Sequence, residues 1–453
     1  MSALVASPTE QDRVRELQRA LYRAAKADPR RRFHALYDKL SRRDVLERAW
    51  GQVRANRGAA GIDRITLADV EQYGSVRLLD ELAADLRDGR YRPLPARRVF
   101  IPKPGAQERR PLAIPAIRDR IVQAAAKTVI EPIFEADFQP CSFGFRPRRT
   151  AHDALQVLLD ESFRGRRWVV ETDIANCFEA IPHERLMQAI EERIVDRHLL
   201  KLLRALLRAG VMEEGAVRHS VAGTPQGGVV SPLLCNVYLH RLDRQWQTRG
   251  CGVLVRYADD VVVVCRTRIE AEQALVALRR IVSELGLSLK ERKTRIVHLR
   301  EGDGGLDFLG FEHRWVRGRT RRSRHVTFLA RWPSRQAMQR ARDRIRELTE
   351  RKRLSQPVEE IVHDLNRFLH GWGGYFRYGN SARHFDQIST YALKRLASFV
   401  AKRHGRAPGY GLSVVAYRST NRLGLITLNG TVVAPRAFKP WREQPNAGGE
   451  GRR

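Results

Sequence analysis

Cysteine is scarce in this chain. Its 453 residues hold five, Cys141, Cys177, Cys235, Cys251 and Cys265, with no Cys-x-x-Cys pair and no Cys/His cluster. Structural zinc and a disulfide framework are both excluded as expectations. No apolar run approaches the ~20 residues of a membrane-spanning helix. The start, Met1 to Leu17, lacks the apolar centre of a secretory signal. An intracellular, cytoplasmic protein of bacterial type is expected. Acid is the other shortage: 51 Asp and Glu stand against 83 Lys and Arg, a formal net charge of +32. A surplus that large on a folded chain calls for a polyanionic partner. Lysine supplies only 11 of the 83 bases. The rest are Arg, which suits bidentate phosphate contacts, although a GC-rich genome gives the same bias. Hydrophobic residues at 43% allow real cores and exclude wholesale disorder. The length is about three times the ~150-residue prior for one domain, so more than one is expected.

Residues 10 to 55 are Arg-rich with apolar positions at helical spacing, Val14, Leu17 and Leu21, then Leu36, Leu40, Val45 and Leu46. A Gly-rich break follows at 56–63. The spacing predicts a short helix over Leu79 to Arg87, a strand at Arg97–Ile101, and a helix from Ile117 to Phe138 with Ile121, Ala125, Val129 and Ile133 on one face. Three later segments read as short apolar strands ending in polar or acidic residues. They are Trp168–Asp173, Gly252–Tyr257 with Val261–Val264 beyond it, and Leu306–Phe311. Strands interleaved with helices, without a strict βαβ repeat, predict an α+β fold with a sheet packed on helices. From Arg314 to Arg353 there are 15 bases against three acids. Pro333-Ser334 starts a helix on which Arg335, Arg342, Arg346 and Arg353 form a stripe opposite Ala337, Ala341, Ile345 and Leu348. An unbalanced stripe of that kind favours a phosphate-tracking helix over a merely solvated face. A further helical segment spans about 356 to 404, and the tail beyond it shows no clear core.

Acidic residues at strand ends stand out in so basic a chain. Tyr257-Ala258-Asp259-Asp260 lies between Val253-Leu254-Val255 and Val261–Val264, which reads as a hairpin with carboxylates at its tip. Asp is a common turn residue, so the pair alone would mean little. Asp173 ends another strand. Three carboxylates at adjacent strand ends would repel unless cations neutralised them. Oxygen ligands with room for water suit Mg²⁺, and two such ions support phosphoryl transfer. Between the acids lies Gly223-Thr224-Pro225-Gln226-Gly227-Gly228, where the glycines would let backbone approach a ligand. Ser231 and Pro232 then read as the N-cap and first residue of a helix.

Together these segments resemble the reverse transcriptases encoded by group II introns. Asp173-Ile174-x-x-x-Phe178, Gln226-Gly227-x-x-x-Ser231-Pro232 and Tyr257-Ala258-Asp259-Asp260 are similar to the three catalytic motifs, in order. Gly61-Ile62-Asp63, Ile101-Pro102-Lys103-Pro104, Arg110–Pro115 and Ser142–Pro147 resemble the finger blocks. Leu287-x-Leu289 with Lys293-Thr294, and Phe308-Leu309-Gly310-Phe311, resemble the later palm blocks. Leu365-Asn366, Leu369, Gly371-Trp372 and Tyr375-Phe376 resemble the maturase motif. The resemblance runs from about 55 to 405.

It implies a right-hand polymerase, fingers and palm with an antiparallel sheet on helices, followed by an all-α thumb/maturase domain. The expected divisions are a basic helical extension over 1–55, fingers and palm over 56–315, thumb/maturase over 316–406, and a short basic tail over 407–453 without an endonuclease. By the resemblance Asp173, Asp259 and Asp260 are catalytic and hold two Mg²⁺ ions with the Ile174 carbonyl. Phe178 is the aromatic gate against a ribose 2′-OH, and Lys103 and Arg110 neutralise the triphosphate. Gln226 and Gly227 shape the nucleotide pocket, and Lys293 stands near the leaving pyrophosphate. Arg335, Arg342, Arg346 and Arg353 would meet RNA. Trp372, Tyr375 and Phe376 read first as core, with RNA stacking by Trp372 and Tyr375 implied by the family. The implied partners are an RNA template or intron RNA, a DNA primer or target DNA, and dNTPs, with no membrane. Three other readings stand beside this one: a splicing maturase with a vestigial polymerase, a domesticated or CRISPR-linked reverse transcriptase, and a metal-dependent nuclease.

Overall fold

The helix Ile117–Glu135 is buried nearly all round, and Ile121, Val122, Ala125, Val129 and Ile133 are wholly enclosed. A helix apolar on every side needs neighbours on every side. Two of them are the Arg-rich helices Glu10–Ala27 and Arg43–Ala55. They dock through Val14, Ala25, Val45, Leu46 and Ala49. Gln18 and Lys26 donate to the carbonyls of Thr128 and Ala136, each at 3.1 Å. The N-terminal helices thus share a core with the helix Ile117–Glu135.

This computed structural model describes residues 10–102, 109–213, 216–218, 222–223, 227–300, 302, 304–318, 321, 324–417 and 423–437. The described residues fall into two units. The first takes those of Met1–Thr150, Thr172–Val263 and Glu272–Arg295; the second takes those of Ala151–Glu171, Val264–Ala271 and Ile296–Arg453.

The strands, in chain order, are β1 (Ala96–Pro102), β2 (Arg109–Ile114), β3 (Trp168–Asp173), β4 (Val211–Glu213), β5 (Ala216–Arg218), β6 (Val253–Tyr257), β7 (Asp260–Cys265), β8 (Arg295–His298), β9 (Leu306–Phe308), β10 (Phe311–Arg317) and β11 (Thr327–Pro333). They form sheets in the orders β2-β1-β4-β5, β6-β7-β3-β8 and β11-β10-β9. Mixed α and β structure with antiparallel pairs, as expected, is what the chain adopts.

Several local expectations need correcting. Leu306–Phe311 is not one strand: Leu309 and Gly310 both have positive φ, 51° and 78°, and turn the chain so that Phe308 pairs with Phe311. A two-residue hairpin loop of the primed type requires that backbone. The expected start of an all-helical region at 316 falls inside β10, which pairs with β11 from Phe311↔Pro333 to Arg317↔Thr327. The helical segment over 356–404 is two helices, Val358–Phe376 and Ala382–Arg403. The tail does join a core. Leu428 is buried, its N–H donates to Ser389 at 3.0 Å, and Asn366 bonds the backbone of both Gly424 and Ile426.

His313, on β10, is buried with neither ring nitrogen hydrogen-bonded among the described residues. Burial, with the charge of Arg331 opposite it in the β10–β11 register, pushes its pKa down to about 3. The unfolded chain therefore binds the proton that the folded chain refuses. Stability is fully present above the ordinary histidine pKa near 6.5 and is lost as pH falls from there toward about 3, at ~1.4 kcal/mol per pH unit. His313→Leu is expected to flatten that acid limb, read as melting temperature against pH from 7.5 to 4.5.

Candidate active site

Continuous apolar runs, buried on both faces, place β6 and β7 side by side, with Val255 and Val261–Val264 enclosed. The two-residue connection is Ala258-Asp259. Ala258 takes φ 56°, a left-handed conformation costing about 1 kcal/mol for a residue with a Cβ. The neighbourhood holds it there. Arg256, wholly buried, donates to the Ala258 carbonyl at 3.0 Å, to Asn236 at 3.1 Å and to the Ser142 hydroxyl at 2.8 Å. It also makes a bidentate pair with buried Asp243, at 2.8 and 2.6 Å. The loop before the hairpin is tied in as well: the Phe143 N–H donates to the Arg256 carbonyl at 2.9 Å and the Arg256 N–H to Cys141 at 2.8 Å. A Cβ on Gly144 would lie 2.4 Å from the Ala258 nitrogen, so only glycine permits this approach.

Asp173 is set beside the tip by backbone bonds. The Ile174 N–H donates to the Asp259 carbonyl at 3.0 Å, the Lys290 N–H to the Asp173 carbonyl at 2.8 Å, and the Ala175 N–H to Ser288 at 2.8 Å. The structure therefore brings Asp173, Asp259, Asp260 and Lys293 together. Burial first, then a hydrogen bond and the charge of Asp173, with Asp259 adding to it, push the Asp260 carboxyl up to about 8. Burial also opposes ionisation of Asp173, but hydrogen bonds with Asp260 and Lys293 hold its carboxyl below the usual range. Lys293 donates to Asp173. Partial burial works against its ammonium charge, yet the bond to Asp173 and the surrounding carboxylates raise its pKa. Among the described residues no three His, Cys, Asp or Glu side chains already form a metal cage. The donor set fits a hard divalent cation nonetheless. It is all oxygen, it carries more negative charge than one ammonium offsets, and it keeps a proton on Asp260 that a cation would displace.

Other predicted residues divide. Phe178, half-buried on the short helix Cys177–Ala180, meets Phe145 edge-on with ring centroids 6.4 Å apart. Gly227, at φ 112°, approaches β2: a Cβ there would lie 2.3 Å from the Ala113 carbonyl. Its close approach in the structure is to protein backbone. The helix after it begins at Ser231, with Val230 as the cap, one residue earlier than expected. Lys103 and Gln226 lie outside the described residues, as does the side chain of Arg110, whose backbone is in β2.

In the second unit the helix Arg335–Leu348 buries Ala337, Ala341, Ile345 and Leu348 as predicted, with Met338 beside them, and Ser334 caps it at 3.2 Å. Arg335 and Arg346 are exposed and Arg342 half-buried; Arg346 pairs with Asp343 at 2.8 Å. Arg353 does not continue the stripe. The helix has ended, and Arg353 binds Asp364 at 2.6 Å and the Leu348 carbonyl at 3.1 Å. Trp372 packs on Phe376 and Phe385, and the Tyr375 hydroxyl donates to the Leu309 carbonyl at 2.8 Å while its ring meets His152 and Phe311. Packing accounts for both rings. Sequence reasoning missed Arg256 and Asp243, since one more arginine in so basic a chain carries no signal.

Comparison with known proteins follows the same lines. Residues 101–313 match the family described as reverse transcriptase (RNA-dependent DNA polymerase). Residues 338–413 match the group II intron, maturase-specific domain. Protein YkfC of Escherichia coli (strain K12) is 35% identical over 348 residues, 68% of this chain and 90% of that protein. Group II intron-encoded protein LtrA of Lactococcus lactis subsp. cremoris is 39% identical over 212 residues, 47% of this chain and 35% of that protein. No described helix is long and apolar enough to cross a membrane.

Proposed function

Because the chain belongs to the group II intron reverse transcriptases, RNA-directed DNA polymerases with a maturase domain, we propose that Asp173, Asp259 and Asp260 are its catalytic carboxylates. With the Ile174 carbonyl they would hold two Mg²⁺ ions. Such ions supply charge neutralisation at an attacking primer hydroxyl and at a leaving pyrophosphate. The observation that carries this reading is the meeting of three carboxylates around one lysine, with the Asp260 carboxyl pushed up to about 8.

The chain's own groups then have separate tasks. Asp173 and Asp260 would hold the cations with the oxygens that now share a proton and the Lys293 ammonium. Lys293, released from Asp173, offers a positive charge or a proton to the pyrophosphate. Phe178 fills the space a ribose 2′-OH would need, favouring dNTPs. Lys103, Arg110 and Gln226 would face the incoming nucleotide. Arg335, Arg342 and Arg346 would hold RNA through phosphate contacts, so binding should weaken as salt rises. LtrA is named as encoded by a group II intron, and we extend that link to this chain: its maturase helices would serve splicing and mobility of an intron RNA.

The test is single-nucleotide addition to a DNA primer on RNA as Mg²⁺ is titrated into metal-free protein. The rate is expected to climb more steeply than the first power of Mg²⁺ at low concentration. Asp173→Asn should displace the curve to higher Mg²⁺. A first-power dependence throughout would contradict the two-ion reading.

A further inference from the structure

Phe145 is an expensive residue to place where it is. Its backbone takes φ 56°, a region that large side chains rarely adopt. Half of its surface, 50%, is left in solvent. Neither feature is an accident of a loose loop, because both neighbours are pinned. The Gly144 carbonyl accepts from buried Asn236 at 2.7 Å, and Gly144 is pressed against Ala258 at the carboxylate hairpin. On the other side Arg146 is buried. It grips Glu135 at 2.6 Å and the carbonyls of Gln139 and Ser142, each at 2.8 Å, with its guanidinium over Phe138. The chain is therefore held in the one conformation that projects the Phe145 ring beside the catalytic strand ends. The ring found there is Phe178, at 6.4 Å between centroids and 80° between planes. That edge-to-face geometry is favourable between aromatic rings and fixes their mutual orientation.

We propose that Phe145 is a specificity-determining residue, a second wall that sets the position of the Phe178 ring and so the room left at the sugar 2′ carbon. The inference rests on Phe178 being the gate. A gate ring on a short helix discriminates only as sharply as its position is held. A displacement of the ring by a fraction of an ångström would admit a hydroxyl. Phe145 holds that position from the side, and Gly144 and Arg146 hold Phe145.

The experiment measures kcat/KM for a dNTP and for the matching rNTP on an RNA template with a DNA primer. It compares wild type with Phe178→Ala, Phe145→Gly, Phe145→Tyr and the Phe178→Ala/Phe145→Gly double variant. Glycine keeps the left-handed backbone while deleting the ring, and tyrosine keeps the ring edge. Phe178→Ala is expected to reduce discrimination roughly 10–200-fold, the range of a single pocket contact. Phe145→Gly should reduce it by about tenfold, through faster rNTP use with dNTP use nearly intact. Phe145→Tyr should retain discrimination, and the double variant should be no worse than Phe178→Ala, because coupled residues are not additive. If Phe178→Ala relaxes discrimination and Phe145→Gly does not, this inference is overturned and the gate stands. If Phe178→Ala leaves discrimination unchanged, the gate reading fails and the inference falls with it. Equal losses on both nucleotides in Phe145→Gly, with the ratio intact, also overturn it.

Discussion

Asp260→Asn is expected to abolish DNA synthesis and at the same time to make the metal-free chain more stable. The Asp260 carboxyl is raised to about 8 by burial and by Asp173 and Asp259, so near neutral pH without cations it keeps its proton. An acid whose folded pKa is raised contributes stability below its unfolded value, 3.8 here, and loses it as pH climbs toward about 8. Asparagine has the shape of the protonated acid and can donate to Asp173 in the same way without that penalty. A gain on the order of 2 kcal/mol at pH 7.5 is expected, and it should shrink as pH is lowered toward 4. Activity goes the other way. A divalent ion's stabilisation of the transition state is worth several kcal/mol, and each ~1.4 kcal/mol is tenfold in rate. Losing a ligand should therefore cost at least roughly a thousandfold. Thermal melts over that pH range and single-turnover incorporation check the two halves separately. A variant less stable than wild type at pH 7.5 would contradict the electrostatic account.

Arg256→Met should be among the most destabilising single changes in the first unit. Arg256 and Asp243 are both fully enclosed, and the pair is bidentate. Removing one partner of a buried pair leaves the other's charge with no compensation, typically ~3–5 kcal/mol. For a unit of this size that is about 10 °C in melting temperature. Replacing both, Arg256→Met with Asp243→Leu, should recover most of the stability, since apolar pairs of similar volume often substitute well. It should not recover polymerisation. The Ala258 carbonyl, Asn236 and the Ser142 hydroxyl would still lack the donor that holds the hairpin tip. A double variant that regains full activity would show that Arg256 serves stability alone. Equal melting temperatures of wild type and Arg256→Met would contradict the buried-pair account.

The features read correctly from sequence were those with local periodic signals. Two apolar runs flanking Asp259-Asp260 required a hairpin, and the structure has it. The buried stripe of the helix Arg335–Leu348 followed from its spacing. What escaped were partnerships between distant residues. Lys293 answers Asp173, and Arg256 answers Asp243, Asn236 and Ser142. Nothing in a strand such as Val253-Leu254-Val255-Arg256-Tyr257 announces that its arginine is the buried one. Arg353 was misplaced for a related reason: charge spacing assumed a helix that in fact ends at Leu348. The Leu309-Gly310 turn was legible in principle, since a glycine between two apolar pairs is a hairpin signal. The close approach of Gly227 was expected, and the backbone it meets in the structure is that of β2.

The decisive measurement is extension of a DNA primer annealed to an RNA template, with dNTPs and Mg²⁺, by wild type and by Asp259→Ala. The account predicts template-directed extension by wild type, its loss on chelation, and none by Asp259→Ala although that variant still binds the primed RNA. Wild-type protein that binds the RNA without extending the primer, or an Asp259→Ala variant that extends it as well as wild type, would contradict it.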